Sequence, residues 1–188
     1  MSCDNNEKKN PIFFTGPANS GKSEWVEYYL GKIYSPIYFG VLPFRPEFEL
    51  IITRHKKRRS SNWRLIESIG DLDADIKLIK KTLSMQISGQ LAVFIDGLTN
   101  WVSFINESEC DFVRTVDMLS LSLGNLINHN TACQWVLMDS VPCEKSEAFS
   151  IISSLHLVLP YHVNNLLTIK LSGDKNEDKH RIYNSLDR

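Results

Sequence analysis

The sequence predicts an α/β fold in which a mostly parallel sheet is flanked by helices. Short apolar runs typical of buried strands alternate with segments of helical periodicity along most of the chain. A glycine-bearing loop joins the first apolar run to the first helical segment, as in the strand-loop-helix units of parallel sheets. The length of 188 residues, 43% of them hydrophobic, suits one domain with a sizeable core.

The first half of the chain predicts three strands and three helices. A β-rich run at 11–15 precedes a helix with one apolar face, and a second run at 36–41 ends in a proline-bearing loop at 42–46. A helix then leads from Glu47 into a basic run, and a short strand follows at 63–69. Asp71 or Asp73 can cap the next helix, whose apolar positions at 72, 76, 79 and 83 repeat with helical spacing.

The second half continues the alternation. The apolar run at 91–95 predicts a buried strand that ends at Asp96, and apolar positions at 112, 116, 119, 123 and 127 predict a helix. Further strands are expected at 134–138, 155–159 and 166–171, the last of them an edge strand that can run antiparallel. We therefore expect a polar N-terminal tail at 1–10, a single domain at 11–172 and a charged C-terminal tail at 173–188.

A phosphate-binding loop lies between the first strand and the first helix. Its residues match the pattern G-x-x-x-x-G-K-S/T and are Gly16, Pro17, Ala18, Asn19, Ser20, Gly21, Lys22 and Ser23. The glycines let successive backbone N–H groups and the positive end of the helix converge on a phosphate chain. The lysine can reach the β- and γ-phosphates, and the serine hydroxyl can bind Mg²⁺. The pattern predicts a P-loop NTPase domain, RecA-like, that binds ATP and/or GTP.

Asp96 is the candidate for a second partner of the metal ion. It ends an apolar strand, where folds of this type place a carboxylate that orients Mg²⁺. Aspartates at strand ends also start turns, here at residues 97–99, and one residue can fill both roles. We expect Ser23 and Asp96 to hold Mg²⁺.

A basic run at residues 54–59 surrounds His55. The neighbouring positive charge disfavours a protonated imidazole and leaves a neutral nitrogen available as a nucleophile, while the same cations can stabilise a phosphate under attack. The alternative is a solvated basic helix face with an incidental histidine. The other histidines show no partner at ligand or catalytic spacing and are expected to be structural or at the surface: His129, His156, His162 and His180.

The composition argues against several classes of partner. The net charge is −1, so no global field favours nucleic acid or a membrane, and the basic run lacks the interleaved aromatic series typical of nucleic-acid binding. No apolar stretch is long enough to cross a bilayer. The four cysteines have no metal-ligand spacing and indicate reduced thiols, so we expect a cytoplasmic protein.

Three motifs occur in a characteristic order. The loop at 15–23 keeps the frame of T-G-G-x-R-S-G-K-S. A segment with glutamate, histidine, arginine, tryptophan and glutamate at fixed spacing is formed by Glu47, His55, Arg59, Trp63 and Glu67. The pattern D-x-L-T-x-W is formed by Asp96, Leu98, Thr99 and Trp101. In these motifs the chain resembles the bifunctional adenosylcobinamide kinase/adenosylcobinamide-phosphate guanylyltransferases of cobalamin assembly.

The resemblance implies a role for each matched residue. His55 is implied as the nucleophile that attacks the α-phosphate of GTP, releases pyrophosphate and holds GMP as a phosphoramidate before passing it to a corrinoid phosphate. The other implied roles are triphosphate and metal binding by Lys22, Ser23 and Asp96, phosphate contact by Arg59, and shaping of the fold by Trp63 and Trp101. The family also phosphorylates adenosylcobinamide with ATP or GTP, and the resemblance suggests a homo-oligomer.

The chain departs from the family pattern at several positions. Pro17 and Asn19 stand where the family loop has glycine and arginine, and Ile51 stands in place of another arginine. Residues 139–142 read Asp-Ser-Val-Pro in place of N-E-V-G. We favour a divergent member that keeps one or both activities. The alternatives are a noncatalytic nucleotide-binding module that controls partner docking, and a P-loop kinase of another small-molecule acceptor.

Overall fold

The structure is a computed structural model that describes residues 8–42, 46–85, 90–106, 111–141 and 147–186. In these ranges the strands are β1 (Ile12–Pro17), β2 (Ser35–Gly40), β3 (Arg64–Glu67), β4 (Leu91–Asp96), β5 (Gln134–Val141) and β6 (Leu167–Lys170). The α-helices are α1 (Lys22–Ile33), α2 (Glu49–Arg58), α3 (Leu72–Ser84), α4 (Leu98–Asn106), α5 (Phe112–Asn128), α6 (Glu147–His162) and α7 (Lys175–Leu186), and Pro46–Phe48 forms a 3₁₀ turn.

The six strands form one sheet in the order β3-β2-β4-β5-β1-β6, and each pair of neighbours is parallel. The mostly parallel sheet is confirmed, but the antiparallel edge strand was wrong. Strand β6 pairs with β1 in parallel because helix α6 crosses from the end of β5 back to the start of β6. All carboxyl ends of the strands therefore lie at one edge, with the end of β5 between those of β1 and β4.

The core consists of two layers, one on each side of the sheet. In β4, Val93 and Ile95 belong to the larger cluster, which includes side chains of α3 to α6. Ala92 and Phe94 belong to the second cluster, with side chains of α1 and α7. Alternate residues of a strand point to opposite faces, so an apolar strand covered on both faces fits the continuous run in the sequence.

Two C-terminal segments are helices. Residues 155–159, expected as a strand, lie within α6, where Ile151, Leu155 and Leu159 are buried at helical spacing. A short apolar run alone cannot distinguish a strand from a buried helix. The segment expected only as a charged tail contains α7, whose Ile182 and Leu186 are buried in the cluster that α1 joins.

Other predicted elements have the expected positions. The strand at 63–69 appears as β3, and Asp71 caps α3 by accepting the backbone N–H of Ala74 at 2.8 Å. Residues 1–7, Pro142 and Cys3, Cys110 and Cys143 lie outside the described residues, so the division into tails and one domain stays a prediction. Among the described helices, none has the length and apolar character needed to cross a membrane.

The tight contact of α5 with α6 leads to a stability prediction. A Cβ atom added at Gly124 would lie 2.3 Å from the backbone oxygen of His162, which cannot move without displacing α6. We expect Gly124→Ala to lower the free energy of unfolding by about 1–3 kcal/mol, measured by urea denaturation. The control is Asn125→Ala, an exposed neighbour in the same helix, expected to stay within about 0.5 kcal/mol of wild type. Equal stabilities of the two variants would contradict the prediction.

Candidate functional site

The phosphate-binding loop has the backbone geometry that its sequence predicts. Strand β1 ends at Pro17, and α1 begins at Lys22. Gly21 has φ +84° and Asn19 has φ +58°, both in the left-handed region that curls the chain toward the helix. A Cβ atom at Gly16 would lie 2.8 Å from the Cβ of Leu171, so the close approach of this segment requires glycine there. The loop therefore presents the N-terminus of α1 to the edge of the sheet.

Lys22 lies at the centre of this edge. Its side chain is nearly buried, and Nζ donates to the Pro17 carbonyl at 2.8 Å and to Ser140 Oγ at 2.9 Å. Burial lowers the pKa of the ammonium group, and the carboxylates of Asp96 and Asp139 act in the opposite direction. The ammonium group is thus held between the ends of β1 and β5.

Ser23 and Asp96 meet as the sequence predicts. Asp96 ends β4, and the Ser23 hydroxyl lies at the same strand edge, where it donates to Met138 Sδ at 3.4 Å. Burial raises the pKa of Asp96, and the nearby Ser23 hydroxyl and the positive charge of Lys22 oppose that rise. A hydroxyl and a carboxylate oxygen suit Mg²⁺, which takes few protein ligands and completes its shell with water and phosphate. The described residues contain no group of three or more His, Cys, Asp or Glu that could form a full metal cage.

The end of β5 supplies two residues that the sequence did not assign to the site. Asp139 accepts the Thr99 backbone N–H and hydroxyl, each at 2.6 Å, and the Ser140 N–H at 2.8 Å. Burial raises the pKa of Asp139 to about 6. The available signal was the same as for Asp96, an acidic residue that ends a continuous apolar strand. The contact of Ser140 with Lys22, however, depends on the strand order, and no local sequence pattern predicts it.

His55 lies in the last turn of α2, beside two arginines. Its Nδ1 atom is 3.1 Å from Arg59 Nη2 and 3.4 Å from Arg58 Nη2. Burial is the main cause that lowers the pKa of His55 to about 4, and Arg58, Arg59 and Arg54 lower it further. The imidazole is therefore neutral at neutral pH, as expected, although the expected cause, the neighbouring charge, is the smaller one.

A cleft of about 580 Å³ joins these groups. Its lining includes the predicted residues Ala18, Asn19, Ser20, Gly21, Lys22, Ser23, His55, Arg59 and Asp96. Gly16 and Pro17 are not part of that lining. Gly16 packs closely against Leu171, and the carbonyl oxygen of Pro17 accepts a hydrogen bond from Lys22. Ser20 Oγ and Arg59 Nε are buried without a hydrogen-bond partner among the described residues. Two polar atoms beside the cleft can therefore still form hydrogen bonds with a ligand.

The remaining motif residues support the walls of the cleft. Trp101 is fully buried and donates its Nε1–H to Asp75 Oδ2 at 3.0 Å, and Trp63 is buried in the cluster on the α1 side of the sheet. Glu67 lines the cleft and forms an ion pair with Lys56 at 2.5 Å. The side chain of Glu47 lies outside the described part of the chain.

Comparison with known protein families gives a match. The model of the cobinamide kinase / cobinamide phosphate guanyltransferase family matches residues 12–143. The chain belongs to this family. The match covers the sheet from β1 to β5 and includes the loop, His55 and Asp96. It confirms the family predicted from the three motifs, and the kinase and guanyltransferase activities for which the family is named are those of transferases. No curated protein matches this chain.

The fold also has a counterpart among solved structures. The ATPase domain of G40P superposes with a TM-score of 0.57 at 10% sequence identity, covering 91% of this chain and 72% of that one. At this identity the likeness concerns the fold alone, and it confirms the predicted P-loop NTPase architecture. The function of this chain therefore has to be inferred from its own site residues.

The lowered pKa of His55 predicts an acid-sensitive stability. The unfolded chain has an ordinary histidine pKa of about 6.5, so between pH 6.5 and pH 4 the unfolded state binds the proton first and stability falls. We expect this residue to remove roughly 1–2 kcal/mol between pH 7.5 and pH 5, because solvent screening of the partly exposed ring reduces the effect of the full pKa shift. Urea denaturation of His55→Gln should show a correspondingly shallower loss. Identical losses in wild type and variant would refute the lowered pKa.

Proposed function

We propose that this protein is a nucleotide-dependent transferase of cobalamin biosynthesis. It transfers GMP from GTP to adenosylcobinamide phosphate through a covalent bond to His55, phosphorylates adenosylcobinamide, or does both. The observation that carries the proposal is that a neutral His55 lines the same cleft as the phosphate loop. Membership of the family supports the substrates, and we expect a cytoplasmic protein that forms a homo-oligomer and needs no nucleic acid.

The triphosphate is bound by the loop residues 16–23. Backbone N–H groups at the start of α1 and the ammonium group of Lys22 attract the phosphate oxygens. The unpartnered Ser20 hydroxyl can donate to the same oxygens, and Arg59 can donate its unpartnered Nε–H. Once nucleotide is bound, fewer polar atoms beside the cleft would lack a hydrogen-bond partner.

Mg²⁺ would be held by the Ser23 hydroxyl and the Asp96 carboxylate. When bound, the ion offsets negative charge on the phosphate oxygens. The chain's contribution is to keep these two oxygen ligands beside Lys22, whose positive charge favours the ionised form of Asp96.

The chemistry at His55 divides one transfer into two. An imidazole nitrogen lone pair attacks the α-phosphorus of GTP, a nitrogen–phosphorus bond forms, and the bond to the β-phosphate oxygen breaks with release of pyrophosphate. A phosphate oxygen of the corrinoid then attacks the same phosphorus, and the nitrogen–phosphorus bond breaks. A ring that stays neutral at neutral pH supplies the lone pair without prior loss of a proton.

Nucleotide binding without chemistry is the second candidate function. In this chain Lys22 is bonded by Ser140, where the family pattern has an acidic residue, and the loop carries Pro17 in place of glycine. Under this reading Mg-nucleotide binds without turnover or covalent product. A P-loop kinase of another acceptor would instead turn over ATP without a covalent adduct.

A covalent adduct tests the transferase. Incubation with Mg²⁺ and GTP should raise the mass of the intact protein by one GMP group, detected by mass spectrometry, because His55 retains the nucleotide until an acceptor arrives. His55→Ala should give no adduct. The matched control is His180→Ala, an exposed histidine of α7 outside the cleft, which should form the adduct as wild type does. Wild-type protein that binds GTP but stays unmodified would exclude the covalent route and leave the binding module or a kinase.

Loss of the loop lysine tests the nucleotide site itself. Lys22→Ala should weaken Mg-GTP binding about 10- to 100-fold, as expected for the loss of a charge-assisted contact, measured by isothermal calorimetry. Lys32→Ala serves as the control, since this exposed lysine ends the same helix and contacts Tyr28. Unchanged affinity in Lys22→Ala would show that nucleotide binds elsewhere.

A further inference from the structure

A buried carboxylate, Glu27, connects α1 to the arginines at the end of α2. Its side chain is 5% exposed, Oε1 lies 2.7 Å from Arg59 Nη2, and Oε2 lies 3.1 Å from Arg58 Nε. Arg59 is itself 3% exposed, and its guanidinium group stacks 3.2 Å from the ring centroid of Tyr38. Ion pairs withdrawn from solvent in this way are screened far less than pairs at the surface. Glu27 therefore fixes the positions of both guanidinium groups.

The same two guanidinium groups reach the imidazole of His55. Both approach Nδ1 through their Nη2 atoms, at 3.1 Å from Arg59 and 3.4 Å from Arg58. Arginine has donors but no acceptor, so Nδ1 must accept and carries no proton. In the neutral ring the proton then lies on Nε2. The arginines therefore determine the tautomer of His55, and Glu27 determines the positions of the arginines.

We propose that Glu27 is a positioning residue for His55, clamping Arg58 and Arg59 so that both guanidinium groups cover Nδ1 and fix the orientation and tautomer of the ring. This inference rests on the proposed function, in which His55 is the nucleophile. Phosphate oxygens are stronger guanidinium acceptors than a neutral ring nitrogen. An arriving triphosphate draws the guanidinium groups away and uncovers the Nδ1 lone pair, so that the nucleophile becomes available when its substrate is in place.

Nuclear magnetic resonance of the nucleotide-free protein, labelled with ¹⁵N at histidine, tests the clamp. Wild type should show His55 with its proton on Nε2. Glu27→Gln keeps the shape of the side chain but releases the arginines, so the His55 titration midpoint should rise by on the order of one pH unit as the positive charge moves away. Removing a negative charge without moving the arginines would shift the midpoint downward, so the sign separates positioning from simple electrostatics.

The matched control is Glu24→Gln. Glu24 also pairs with Arg58, at 3.1 Å from Nη1, but it is 63% exposed, and no contact joins it to Arg59 among the described residues. Its spectrum should follow wild type. The groups that face the imidazole are Arg54, Arg58, Arg59 and the Tyr38 ring, and neither variant replaces any of them.

Kinetics provide the second measurement. Glu27→Gln should slow single-turnover formation of the GMP adduct by tenfold or more, with a smaller change in nucleotide Kd. If this variant does not fold, Glu27→Asp keeps the charge at a shorter reach and should give an intermediate midpoint and rate. A proton on Nδ1 in wild type, or a midpoint in Glu27→Gln that falls or stays unchanged, overturns the clamp. A clamp seen by resonance in a protein that forms no adduct would exclude the covalent route at His55 and leave only the positioning of the ring by Glu27.

Discussion

An ammonium group held out of water between the ends of parallel strands is the interaction on which the site depends. Lys22 bonds to the end of β1 through the Pro17 carbonyl and to the end of β5 through Ser140. Burial disfavours its charge and also the charges of Asp96 and Asp139, but the two carboxylates offset part of the cost of burying the ammonium group, and the ammonium group offsets part of the cost of burying Asp96. The three groups meet because β5 lies between β1 and β4 in the sheet. A different strand order would separate Lys22 from the carboxylates that offset the cost of burying its charge.

Helix α1 also organises the second half of the site. It begins at Lys22 and, one to two turns later, presents Glu27 to the arginines that follow His55. The C-terminal end of α2 is therefore attached to the same rigid element that carries the phosphate loop. A histidine on a charged helix would otherwise be free in solvent, which is the alternative that the sequence left open. Its arginine neighbours are instead paired with Glu27 of α1 and its ring lies beside Tyr38 of β2, and His55 is a partly buried base with a pKa of about 4.

Local patterns and long-range contacts differ in what the sequence can predict. The loop, the strand ending at Asp96 and the motif around His55 are written in consecutive or regularly spaced residues, and the structure places them around one cleft. The role of Asp139 and Ser140 was missed because the contact of Ser140 with Lys22 and the nearness of the Asp139 charge depend on strand order. Likewise the segment 155–159 carries no local signal that separates a strand from the buried face of α6. Burial, the main cause that lowers the His55 pKa, also depends on the tertiary structure. The sequence therefore indicated only the smaller cause, the neighbouring positive charge.

Three cations of the cleft, Lys22, Arg58 and Arg59, are engaged with other protein groups in the structure. Lys22 bonds to a carbonyl and a hydroxyl, whereas Arg58 and Arg59 are paired with Glu27. Backbone N–H groups at the start of α1 require no such exchange, so the first contacts of a triphosphate should form at the loop. The neutral partners of Lys22 are displaced more easily than the buried carboxylate of the arginines. If nucleotide binds as proposed, phosphate would reach the lysine before it competes for the guanidinium groups, and the proposed nucleophile would be uncovered last.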